Sequence, residues 1–356
     1  MSLTDNMPST QISIRRVNPS TERDAVLRLL EACLPEAASK DRFNWAYLNN
    51  PDGVALVWLA ETADGETVGT SAAFPRRFRV NGNTVRALVL SDFAIDRRFR
   101  TLGPAVGLLR ATLASIDGGS FEFALDHPSE SMLAVYKRLG GIELGRNTRC
   151  VRLLKVSGAT ERRWGAGVRA MVIGSLGDFM LRTMDRIRRI PGDLNVEVYP
   201  GVFNDEFDQL GCVLEESRAV CGDRRSDYLN WRYQSGIRFE YSTLIVRSEK
   251  ELLGYAVVQR TDVRSMTIVE FVCRADSTIE VALFNALLDV ARRSNVESLQ
   301  ASCMEGGAWC TILKRLGFAG REQSTGPVVF SPKNAKWADI VTDRDQWWMT
   351  DGDRDG

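Results

Sequence analysis

Apolar and polar positions alternate in two distinct rhythms along the chain, and the switches between them mark the elements. Ile12 to Val17 reads as a strand, and Glu22 to Ala32 as a helix with Val26, Leu29 and Leu30 on one side. Val54 to Glu61 is strand-like and ends at the Asp64-Gly65 hairpin turn. Val68 to Phe74 and Phe78 to Val80 continue the sheet up to a second tight turn at Asn81-Gly82. A long apolar run from Val85 to Ile95 then leads through Gly103-Pro104 into a helix from about Pro104 to Ile116. Phe121 to Leu125 is a short strand, Ser129 to Leu139 a helix stopped by Gly140-Gly141, and Arg149 to Leu154 a closing strand. Further on, Tyr241 to Val246, Gly254 to Arg260, Met266 to Val272 and Ser298 to Ser302 read as strands, with helices over Val281 to Arg293 and Trp309 to Leu316.

The second series repeats the first. Asn44-Trp45-Ala46-Tyr47 returns 186 residues on as Asn230-Trp231-Arg232-Tyr233. Tyr136-Lys137-Arg138-Leu139-Gly140 returns 177 residues on as Leu313-Lys314-Arg315-Leu316-Gly317. Similar offsets in the same order indicate a duplicated unit. The expected architecture is α/β of the α+β kind, in two tandem units, each a mixed, mainly antiparallel sheet flanked by helices. Residues 1–155 form the first unit, 156–195 a helical connector and 196–356 the second. Inside the connector, Trp164 to Arg189 reads as an amphipathic basic helix, for which packing between the two units is favoured over lying on anionic lipid.

Composition narrows the classes. At 356 residues the chain suits two cores, and 44% apolar with 26% charged residues is the balance of a globular protein. Lys+Arg and Asp+Glu both number 46, so no net basic field gathers nucleic-acid phosphates. Seven cysteines without a Cys-x-x-Cys spacing point to reduced thiols and a cytoplasmic protein, with no metal. The amino terminus lacks the pattern of a secretory signal, and no stretch has the roughly 18 apolar residues of a membrane span, which leaves only peripheral membrane contact open. Composition says nothing of the oligomeric state.

Candidate chemistry concentrates after Ile95, where a strand runs into Arg100-Thr101-Leu102-Gly103-Pro104-Ala105 and then a helix. Successive backbone N–H groups at a helix start form an anion-receptive concavity, to which the helix dipole adds positive potential. Gly103 permits close backbone approach, Ala105 keeps the first turn unobstructed, and Pro104 suits the first helical positions at the cost of one amide. Alone, such a turn is also an ordinary strand-to-helix junction.

With its context, the segment resembles the acetyl-CoA signature of the GNAT superfamily: a strand, an Arg/Gln-x-x-Gly-x-Gly/Ala turn and a helix, here at Arg100, Gly103 and Ala105 with Phe99 ahead of the Arg. The family's second element, Tyr-x-x-Leu-Gly-Phe, is matched by Tyr136, Leu139 and Gly140. Thr101 stands for a common Gly, and Gly141 for the closing aromatic residue. The resemblance implies acetyl-CoA as cosubstrate, with contacts at Phe93, Ala94, Ile95, Arg100, Thr101, Leu102, Gly103, Ala105 and Ser129. It also implies an N-acetyltransferase acting by direct attack of a primary amine on the thioester. In the second copy, Arg274 to Ile279 offers no glycine and Leu313 replaces Tyr136, so one CoA site per chain is expected.

Amines have pKa values of about 10, so a base must act first. Asp92, on the strand before the turn, is the first candidate; His127, the sole histidine and of suitable pKa, is the second, although a strand-end histidine is as readily structural. A backbone N–H within Phe93 to Ile95 would hold the oxyanion. Tyr136, at the family's general-acid position, would protonate the leaving thiolate. Asp351-Gly352-Asp353 matches half a calcium loop and reads as a solvated tail, while Trp337, Trp347 and Trp348 read as packing. The acceptor is a small amine, preferentially an amino sugar, since tandem proteins with this turn resemble those of bacterial polysaccharide assembly. The alternatives are a non-catalytic CoA-binding scaffold and a Fem-like aminoacyl transferase of cell-envelope assembly.

Overall fold

The structure is a computed structural model that describes residues 11–100, 102–157, 168–187, 194–237 and 239–354. Two sheets organise it. The first is built from β1 (Ile12–Val17), β2 (Leu56–Thr62), β3 (Thr67–Val80), β4 (Asn83–Ile95), β5 (Phe123–Asp126) and β6 (Ile142–Glu143). Next in the chain come β7 (Asn147–Leu153), β8 (Asn195–Tyr199), β9 (Val220–Gly222), β10 (Tyr241–Ser248), β11 (Glu251–Arg260) and β12 (Ser265–Cys273). The remaining strands are β13 (Ser298–Met304), β14 (Ala319–Ser324), β15 (Val328–Phe330) and β16 (Trp347–Trp348). The sheet orders are β1-β2-β3-β4-β5-β15-β6 and β14-β7-β13-β12-β11-β10-β8. This is the expected mixed α/β fold in two mainly antiparallel sheets, each with a parallel pair at the same place in the repeat, β4 with β5 and β12 with β13, while β9 and β16 add a second parallel pair at the side of the first.

The stretches expected as Val68–Phe74 and Phe78–Val80 form one strand, β3, with Pro75 inside it. A proline survives there because β2 pairs only as far as Ala73 and β9 begins at Phe78, so the missing N–H falls where that side of β3 has no ladder partner.

The sheet boundary departs from the sequence division at residue 155. β7, read as the closing strand of the first unit, pairs instead with β13 and β14 of the second sheet. Reciprocally β15, from the second half, inserts between β5 and β6. The two halves thus exchange strands. Val328, Val329 and Phe330 are buried in the first-sheet cores, a demand that no local pattern reveals.

The repeated Asn-Trp motif explains how the halves meet. Trp45 and Trp231 stack at 4.4 Å between ring centroids and 14° between planes. Each indole donates to the other's backbone: Trp45 Nε1 to the Trp231 carbonyl at 2.8 Å, and Trp231 Nε1 to the Trp45 carbonyl at 3.0 Å. The duplicated segment is a reciprocal contact between the copies.

The carboxy-terminal stretch is not a solvated tail. Asp353 is 2% exposed and bonds Arg224 at 2.6 Å and Arg76 at 3.5 Å, joining the second half to β3. Gly352 is required there because a Cβ would run into the Tyr233 hydroxyl and the Glu270 carboxylate. Trp347 meets Phe78 and Phe123 of the first sheet, and Trp348 lies near Trp309 on the Ala308–Arg315 helix, so both tryptophans pack as expected.

Candidate active site

The parallel ladder between β4 and β5 runs only from Ala87–Phe123 to Val89–Leu125. β4 continues to Ile95, so the strands part and Leu90 to Ile95 face a notch without a strand partner on that side. A register shift opposite Thr70 to Ala72 produces a bulge at Asp92 and Phe93, and Asp92 takes the left-handed φ of +48°. The notch is where the sequence places the cosubstrate, between the end of β4 and the helix that follows.

That helix spans Leu102–Asp117 and begins three residues after a short turn at Arg97–Phe99. Phe93, Ala94, Ile95, Arg100, Leu102, Gly103 and Ala105 therefore share one corner of the first sheet; Thr101 lies outside the described residues. A Cβ on Gly103 would meet no protein atom within 4 Å, so its backbone faces open space, as approach of a ligand requires. Arg97, Arg98 and Arg100 are exposed around the turn. Arg100 Nε donates to the Ile95 carbonyl at 3.1 Å, tying the turn to the strand end. Ser129 is exposed at the start of the Glu130–Arg138 helix, beyond β5.

The equivalent helix of the second copy, Ser277–Arg293, is already capped: Asp276 Oδ1 accepts from the Thr278 N–H at 2.7 Å. A fixed carboxylate at that helix start repels a pyrophosphate and uses an amide the ligand would need.

Asp92 does not have the freedom of a base. Its carboxylate is buried, accepting from Arg42 Nη1 at 2.7 Å and Nη2 at 3.0 Å, from the Tyr47 hydroxyl at 2.7 Å and from Ser91 Oγ at 3.2 Å. Burial, and then the charge of Asp92, push the Tyr47 phenol well above its ordinary value, so it stays a donor. The second copy repeats this device: Glu270 accepts from Arg224 Nε at 3.1 Å and from the Tyr233 hydroxyl at 3.3 Å, beside its own register shift in β11–β12. Both copies thus pin a bulged strand with a buried arginine, carboxylate and tyrosine. The signal was in the sequence, since Tyr47 and Tyr233 occupy the same place in the repeated Asn-Trp motif.

His127 follows β5 directly. Its residue is partly exposed, but Nδ1 is buried without a hydrogen-bond partner. Burial, and then the positive charge of Arg354, hold its pKa well below the usual imidazole range. Tyr136 is buried against Phe330, 5.3 Å between centroids, and its hydroxyl donates to Asp126 Oδ2. Asp126 Oδ1 accepts from the His127 backbone N–H at 2.6 Å, so the carboxylate links the two candidate proton carriers.

A tight crevice of about 20 Å³, room for about one water, is lined by Phe74, Arg76 and Val89 from the first sheet and by Tyr228, Trp231 and Arg354 from the second half. Arg354 also lines a wider cavity of about 360 Å³ with Arg232, Tyr233, Phe239, Tyr241 and Gln259. Among the described residues, the metal-type grouping is elsewhere: the buried thiols of Cys150, Cys303 and Cys310, with sulfurs within 4.8 Å of one another, in the core of the second sheet.

Against known proteins, residues 13–142 match the family model described as the Acetyltransferase (GNAT) domain. No curated protein matches the chain. Several solved structures share the fold. A probable N-acyltransferase of Enterococcus faecalis V583 aligns with a TM-score of 0.66 at 12% identity over 90% of this chain and 73% of its own. A GCN5-related N-acetyltransferase from Anabaena variabilis gives 0.64 at 13% identity, over 90% and 72%. One from Kribbella flavida gives 0.61 at 14% identity, over 93% and 74%. A split β4–β5 pair with a glycine turn and helix at its mouth, in a sheet that matches this family, defines an acetyltransferase domain. Residues 13–142 thus carry a GNAT acetyltransferase domain, in a chain whose two sheets share the fold of N-acetyltransferase structures.

Proposed function

We propose that the chain transfers an acyl group, acetyl in the first instance, from CoA to a primary amine, with one working CoA site per chain. The observation that carries this reading is the open space beside Gly103 in the first turn of its helix, where the second copy sets the Asp276 carboxylate at the helix start. Arg97, Arg98 and Arg100 would meet the CoA phosphates, and the unpaired edge of β4 near Phe93 to Ile95 would hold the pantetheine amides and the oxyanion.

His127 is the base in this scheme. Its depressed pKa keeps the imidazole neutral at pH 7, and Arg354, whose charge it feels, lines the wider cavity, where an acceptor would sit. The nitrogen lone pair of the acceptor attacks the thioester carbon after His127 takes an ammonium proton; collapse of the tetrahedral oxyanion expels the thiolate, and the amide nitrogen sheds its second proton to solvent, from which Tyr136 is restored after it acts. With a pKa of about 8.5, by analogy with cysteine, that thiolate takes a proton from Tyr136, whose hydroxyl leaves Asp126 to deliver it.

A cavity of about 360 Å³ suits a small molecule, and its lining by Tyr233, Phe239, Tyr241, Arg232 and Arg354 supports an amino sugar, whose faces stack on aromatic rings while its hydroxyls accept from guanidinium groups. An acceptor of this class would place the protein in polysaccharide assembly. Seven free thiols support work in the reducing cytoplasm.

The test is an acceptor panel of nucleotide-linked amino sugars, small amines and peptides with acetyl-CoA and mass readout. Acetylation of an amino sugar is expected. CoA-dependent thermal stabilisation without turnover on any acceptor would establish a scaffold instead.

A further inference from the structure

The Val168–Ile187 helix is built inside out. Its inward edge is small and polar: Gly174 is buried, Gly177 faces Val156 at 3.3 Å from the position of a Cβ, and Asp178 Oδ1 accepts from the backbone N–H groups of Val156 and Ser157. Opposite that edge, Val172, Leu176 and Phe179 follow one another at i, i+4 and i+7, flanked by Ile173 and Met180. With Met171, these side chains are between 48% and 66% exposed. The sequence favours packing between the two units; these described apolar side chains face outward instead. Large apolar side chains grouped on one exposed face, unlike scattered ones, mark a surface that another phase or partner covers.

No helix among the described residues is long and apolar enough to cross a membrane. Charge distinguishes the remaining occupants. From Trp164 to Arg189 the sequence has five arginines (Arg169, Arg182, Arg186, Arg188 and Arg189) against Asp178 and Asp185, and Asp178 is turned to the protein. A symmetric contact with a second copy would set this cationic segment against itself. An anionic surface complements it, and an apolar helical face in an arginine-rich segment is the composition that settles at the boundary of headgroups and acyl chains.

We propose that this helix docks the enzyme on an anionic lipid bilayer, its Val172, Leu176 and Phe179 face entering the interface. The inference stands independently of the acceptor assigned above. Docking from the connector leaves the acetyltransferase notch, built from β4, β5 and the Leu102–Asp117 helix, outside the lipid-facing element.

Co-sedimentation of the full chain with phosphatidylcholine vesicles, with and without phosphatidylglycerol, tests this. Binding to the anionic vesicles is expected, weakened by salt. Leu176→Glu combined with Phe179→Glu should weaken it by roughly a hundredfold, from lost burial alone, with CoA binding and the thermal midpoint unchanged. Arg186→Glu with Arg189→Glu should remove the preference for anionic over neutral vesicles. Failure to pellet with anionic vesicles would overturn the proposal, as would binding that survives the Leu176 and Phe179 changes. Light scattering that shows a dimer of the native chain and a monomer of the double glutamate variant would overturn it in favour of self-association.

Discussion

Asp92 and His127 show how far burial decides what a side chain can do. Asp92 sits on the right strand for a base, yet a bidentate arginine and a tyrosine hydroxyl hold its carboxylate. Asp92→Asn leaves Arg42 buried without its counter-charge and should cost about 3–5 kcal/mol in chemical denaturation. A base would instead lose turnover with stability intact. His127 makes the opposite prediction. Its folded pKa lies below that of the unfolded chain, so the folded state binds fewer protons and stability falls as pH drops below about 6.5, by up to about 1.4 kcal/mol per pH unit until the folded pKa is reached. His127→Gln should flatten that slope in urea titrations across this window and abolish acetyl transfer. As the sole histidine, His127 also gives an imidazole resonance free of overlap, whose midpoint should lie well below the ordinary one.

The strand-turn-helix after Ile95 was legible in the sequence because its chemistry is local: glycine, proline and helix periodicity fall within one turn of chain. What sets its worth as a cosubstrate site is the open space beside Gly103, and Pro104 lowers that worth by one amide. Pro104→Ala should tighten CoA about fivefold, the equivalent of about 1 kcal/mol for one added hydrogen bond, in isothermal titration with a stoichiometry of one per chain. The closed second helix was only half legible. The missing glycine was visible, whereas the Asp276 side chain acts through a bond to Thr278 that appears only when the cap is formed.

For the whole molecule, strand exchange makes the halves interdependent. A fragment of residues 1–155 lacks β15, which separates β5 from β6, and strands β7 without β13 and β14. It should show no cooperative unfolding transition by circular dichroism, while the intact chain does. The Trp45–Trp231 pair holds the halves at their repeat motif, and a double-mutant cycle of the two alanine changes should give a coupling energy of about 0.5–3 kcal/mol, since each indole both stacks on and donates to the other.

By itself, the sequence determined most strands and helices, the duplication and the corner at Ile95 to Ala105, because periodicity, turn residues and repeated motifs are properties of neighbouring positions. Tertiary structure decided which sheet each strand joins, because β7 and β15 satisfy backbone groups and bury side chains against partners more than a hundred residues away. It decided that Asp353 is a buried anchor, because its counter-ions Arg76 and Arg224 arrive from distant strands and turns. It also decided that Asp92 is held while the space beside Gly103 stays open, since both depend on which side chains the fold brings alongside.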